Sequence, residues 1–102
     1  MLEDSMEDYI YYGELYDLYQ QLLTDKQRAY FEDYYFQNLS LGEMAENYQV
    51  SRNAIFRQLH IVTKKLEEYE EKLQLLQKKR KLEKISQSID NLDIKRQLEE
   101  LI

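Results

Sequence analysis

Asn47 to His60, NYQVSRNAIFRQLH, is the stretch that decides the fold. Ser51 is a good helix N-cap, and Ile55, Leu59, Val62 and Leu66 follow it at 4/3/4 spacing, the buried stripe of a helix. Just upstream, Ser40 and Glu43 have capping-box spacing and open a short helix, LGEMAENY, with Leu41, Met44, Ala45 and Tyr48 inward. Two helices joined by about three residues form a helix-turn-helix. That motif needs a small residue in its first helix, an apolar residue just after the turn and a core residue four to five positions into the second. Ala45, Val50 and Ile55 meet these needs. An ordinary αα-hairpin has the same core logic. One position departs from the pattern: the turn residue before Val50 is usually glycine, because the backbone there tends to positive φ. Gln49 would cost ~1 kcal/mol in a left-handed conformation.

Working outward, the remaining chain also reads as helix. With no proline and two glycines in 102 residues, little interrupts it. From about Met6 to Leu23, Tyr9, Tyr12, Tyr16, Tyr19 and Leu23 form one stripe, and Tyr11, Leu15, Leu18 and Leu22 form a second beside it. Together they cover about half the circumference, wider than one small core demands, so a second packing partner is expected. Thr24 and Gln27 form another capping box, which starts a helix at Asp25 that runs toward Gln37. The helix after Ser51 shows no stop at Leu66. Tyr69, Leu73 and Leu76 extend its stripe, so it is expected to reach about Gln77, with a bend or loop at the basic run Lys78 to Lys81. Leu82, Ile85, Ile89 and Leu92 then resume helical spacing. Asp90, Asn91 and Asp93 offer cap chemistry before a last short helix carrying Ile94, Leu98 and Leu101.

The formal net charge is −6, unevenly spread. Residues 1–38 hold nine acids and two bases, residues 39–70 five and four, and residues 71–102 six and eight. Ser51 to Leu66 holds Arg52, Arg57, Lys64 and Lys65 and no acid. The absence of cysteine excludes disulfides and thiolate metal sites and fits a reducing compartment. The acidic start MLEDSMEDYIYY has no signal-peptide pattern and no apolar run nears 18 residues, so a cytoplasmic protein without membrane insertion is expected. There is no phosphate-binding glycine loop and no nucleophile paired with a base, so no enzyme, no cofactor and no catalytic residues are expected. His60 is the only histidine and has no cysteine partner, which argues against metal binding.

Leu23 to Leu73, LTDKQRAYFEDYYFQNLSLGEMAENYQVSRNAIFRQLHIVTKKLEEYEEKL, resembles the helix-turn-helix of sigma-factor region 4. With the Tyr-rich first helix and the charged helical tail, nearly the whole chain resembles the YlxM family, small bacterial DNA-binding proteins linked to the signal recognition particle. The resemblance implies an all-helical protein, encoded beside the particle's protein subunit, that takes part in or regulates that pathway.

If the second helix of the motif enters a major groove, its first turns meet base edges. The candidates are Ser51, Arg52, Asn53 and Arg57, with arginine matching guanine and asparagine adenine. Gln58, His60, Lys64 and Lys65 suit phosphate contacts. The same residues also suit a plain solvated face. Tyr9, Tyr12, Tyr16, Tyr19, Leu73 and Leu76 are read as core or dimer packing. Glu67, Glu68, Glu70 and Glu71 are expected to end the usable surface near Lys65. The expectation is an all-α helix-turn-helix domain over residues 1–70 with a helical extension at 71–102. It binds double-stranded DNA as a homodimer; the alternative is an interaction module for the particle's protein or RNA.

Overall fold

In the computed structural model, which describes residues 5–102, the chain forms six α-helices: α1 (Met6–Tyr19), α2 (Asp25–Phe31), α3 (Leu41–Tyr48), α4 (Arg52–Leu73), α5 (Leu75–Gln87) and α6 (Leu92–Glu100). A 3-10 turn (Gln20–Leu22) follows α1 and a π-helical segment (Glu32–Phe36) follows α2. Local chemistry explains most boundaries. Three helices open on full capping boxes, Ser5 with Asp8, Thr24 with Gln27 and Ser40 with Glu43. Ser51 caps α4 by accepting from the Ala54 N–H at 3.1 Å, and Asn91 caps α6 by accepting from Asp93 and Ile94. Arg28 holds the α1–α2 connection shut by donating to the carbonyls of Gln20 (3.0 Å) and Leu23 (2.7 Å).

The long α4 serves two buried clusters. Its first turns, through Ile55 and Leu59, close over Met44 of α3 and Tyr30 of α2. Its middle, through Val62 and Leu66, joins Leu15, Tyr16, Tyr19, Leu23, Phe31, Tyr35 and Leu76. Aromatic rings fill much of this second cluster, with Phe31 stacked between Tyr16 and Tyr35 at 4.4 Å to each. Such stacking adds roughly 0.5–1.5 kcal/mol per pair beyond area burial. The turn before α4 is left-handed at Gln49 (φ 56°, ψ 47°), and the Val50 N–H closes back on the Ala45 carbonyl at 3.0 Å.

Two expectations change. The fourth helix does not run to Gln77, and the break is not at Lys78 to Lys81. It falls at Gln74, again left-handed (φ 55°, ψ 34°), and α5 starts at once. The cause is a tertiary cap. The Glu70 carboxylate accepts from the N–H groups of Leu76 (3.0 Å) and Gln77 (3.2 Å) and from the Tyr19 hydroxyl (2.6 Å), while that hydroxyl accepts from the Leu75 N–H (3.1 Å). Turning the chain there buries Leu76 beside Tyr19 and brings Arg80 to Glu14 at 3.0 Å. The wide apolar face of α1 is thus filled by α4 and by α5 of the same chain. Tyr16, Tyr19 and Leu76 are buried there, Tyr9 and Tyr12 pack at its edge, and Leu73 stays exposed.

Candidate nucleic-acid interface

At about 100° per residue, α4 buries Ile55, Leu59, Val62 and Leu66 and turns the opposite face to solvent. Asn53, Arg57, His60 and Lys64 share that outer face and all four are exposed. His60 packs edge-on to the half-buried Phe56 ring at 4.4 Å, which fixes both side chains against the helix. Gln58 and Lys65 fall on a flank and are half buried. The eight residues named from the sequence therefore divide. Four line one face, two sit beside it, and Ser51 and Arg52 have other work.

The Ser51 hydroxyl accepts the Ala54 N–H and so holds the helix start. Arg52 is exposed but lies back over α3. A methyl group placed on Gly42 would stand 2.9 Å from its Nη2, 3.1 Å from Cζ and 3.2 Å from Nε. A larger residue at position 42 would make the flexible end of Arg52 shift aside. Gly42, Glu46 and Gln49 line a groove with Arg52. Glu43, in contrast, is held by its own cap: the hydrogen bonds with the Ser40 N–H and hydroxyl lower its carboxyl below the usual range.

The downstream acids also divide. Tyr12 donates its hydroxyl to Glu67 and Tyr19 donates to Glu70, so two of the four carboxylates turn toward α1. Glu68 and Glu71 are the ones left on the outer face, two and three turns beyond His60. Two further pairs, Tyr16 with Glu32 and Tyr48 with Asp33, repeat the device. Sequence reasoning missed these partners. Ten tyrosines against three phenylalanines carried the signal, because a buried phenol requires an acceptor. Burial, and then the carboxylate partner, pushes the hydroxyls of Tyr19 and Tyr48 up to about 12 and that of Tyr16 higher.

A short capped helix, a left-handed turn and a long helix whose opening turns carry an exposed basic and amide face define a helix-turn-helix protein. The family model described as "Putative helix-turn-helix protein, YlxM / p13 like" matches residues 6–102. The chain belongs to that family, UPF0122. It is 56% identical over 64 residues to the UPF0122 proteins of Bacillus cereus strains AH187 and G9842 and of Bacillus anthracis strain A0248. The match covers 63% of this chain and spans 58% of the length of each of those curated relatives. Among the described residues, no helix is long and apolar enough to cross a membrane.

Proposed function

We propose that this chain is a DNA-binding regulatory protein that reads duplex DNA with the first three turns of α4. One observation carries the reading: Asn53, Arg57, His60 and Lys64 are exposed on a single face with no acid among them, on the helix that a helix-turn-helix lays in the major groove. Asn53 and Arg57 read base edges, the first suited to adenine and the second to guanine. His60 and Lys64 meet phosphate, with Gln58 and Lys65 supporting from the flank. Arg52, seated over Gly42, contacts the backbone rather than a base, and Ser51 keeps the helix start in register. Residues 1–70 form the reading domain and residues 71–102 an extension anchored through Leu76, in a sigma region 4-like arrangement. The protein works in the cytoplasm as a homodimer.

Fluorescence anisotropy with labelled duplex DNA tests this. Binding is expected to weaken linearly on a log–log plot against salt, and Lys64→Ala is expected to reduce the slope by about 1. Affinity indifferent to salt would contradict it.

A second reading has one observation in its favour. Lys81 and Lys84 of α5 line a shallow groove with Gln77 and Arg80 of the same helix, Tyr11 of α1 and Glu70 near the far end of α4. In that reading, the chain serves the signal recognition particle pathway by contacting the particle's protein or RNA there. Pull-down from lysate with and without DNase separates the two, since only DNA-dependent capture is lost on DNase treatment.

A further inference from the structure

The α5–α6 hairpin has two unlike sides. On one, Lys79, Glu83, Lys95 and Glu99 line a polar groove between the helices. On the other, at about 100° per residue, Leu82, Ile85 and Ile89 of α5 and its loop align with Ile94, Leu98 and Leu101 of α6. The helices cover only part of this second side. Ile85 and Ile94 are each 49% exposed and Leu101 is 72% exposed. α6 leans on α5 and buries no residue of its own. Two short helices sharing one uncovered apolar side make half of a four-helix bundle.

The charges at the rims identify what covers it. Beyond Ile85 the outer edge of α5 carries Lys81 and Lys84, and beyond Ile94 and Leu101 the outer edge of α6 carries Asp93 and Glu100. One edge is basic and the other acidic. A second copy brought face to face can sit two ways about a two-fold axis. Laying α5 over α5 sets basic edge on basic edge, whereas laying α5 over α6 of the other copy sets each basic edge on an acidic one. We infer that two copies of this chain pair through this side, α5 of each against α6 of the other, closing a four-helix bundle. This rests on the homodimer named above and supplies its interface. The N-terminal acids, on α1 and α2, lie on other elements.

The mass of the full chain in solution, measured by light scattering without DNA, tests the pairing independently of DNA reading. A dimer is expected at micromolar concentration, and Ile85→Glu/Leu101→Glu, at exposed positions that leave the helical circular dichroism unchanged, is expected to give a monomer. A monomeric wild type would overturn the inference, and so would a dimer that survives this double change. Charge reversal fixes the register. Lys81→Glu/Lys84→Glu alone and Asp93→Lys/Glu100→Lys alone are each expected to dimerise at least tenfold more weakly than wild type, while their mixture forms a heterodimer. A mixture no tighter than its components would refute the α5-over-α6 arrangement.

Discussion

Residue by residue, the strongest constraints lie where the backbone or a phenol is forced. Gln49 holds φ 56° without glycine, as do Asn38 and Gln74 at the other two left-handed positions among the described residues, and neither glycine of the chain is used this way. Gln49→Gly is expected to raise the urea midpoint by the equivalent of about 0.5–1 kcal/mol with DNA binding unchanged; an unchanged midpoint would show that the turn carries no strain. The need for a left-handed residue there was legible from the motif's spacing. The tyrosine partners were not, because Tyr12, Tyr16 and Tyr19 meet acids 55, 16 and 51 residues away. Their raised hydroxyls set an alkaline limit. A phenol near 10 when unfolded and near 12 when folded gives stability that is complete below pH 10 and is lost as pH rises through 12. Ultraviolet absorbance and circular dichroism across pH 9 to 13 should show some tyrosines ionising late and helix lost as they do. All ten titrating near 10 with helix intact would contradict this.

At the scale of elements, the capping boxes at Thr24 and Ser40 and the cap at Ser51 were readable because both halves of each device lie within one turn of chain. The α4–α5 break was not, since the stripe through Leu66, Tyr69, Leu73 and Leu76 continues unbroken in the sequence. It depends on Glu70, which satisfies two N–H groups of α5 and the Tyr19 hydroxyl at once. Glu70→Ala is expected to cost about 1–3 kcal/mol in chemical denaturation, because it leaves those donors without their acceptor. Leu76→Ala is expected to cost about 2–5 kcal/mol, as for any aliphatic side chain removed from a closed core. If Leu76→Ala were neutral, α5 would not be anchored through Leu76. The wide face of α1 likewise announced a second partner but could not say whose. The partner is α5 of the same chain, which leaves the hairpin beyond it as the uncovered apolar side.

For the molecule as a whole, shape and charge distribution matter more than totals. A radius of gyration of 16.9 Å exceeds the about 13 Å of a compact chain near this length, and the longest extent is 55 Å against 23 and 19 Å across. The exposed outer face of α4's opening turns and the α5–α6 hairpin therefore lie on separate parts of an elongated body. The net charge of −6 is a poor guide to DNA binding, since nine of the twenty acids lie in residues 1–38 while the outer face of α4 carries none before Glu68. The spacing put Asn53, Arg57, His60 and Lys64 on one exposed face, but it could not show Arg52 laid over Gly42, a contact between α3 and α4. Selection from a random duplex library, sequenced after several rounds, tests the claim that Asn53 and Arg57 read bases. The wild type is expected to enrich one motif, and Arg57→Ala, folded by circular dichroism, to lose preference at one position at a cost of about 1–3 kcal/mol. No enriched motif, or the same motif from the double variant Asn53→Ala/Arg57→Ala, would contradict the claim.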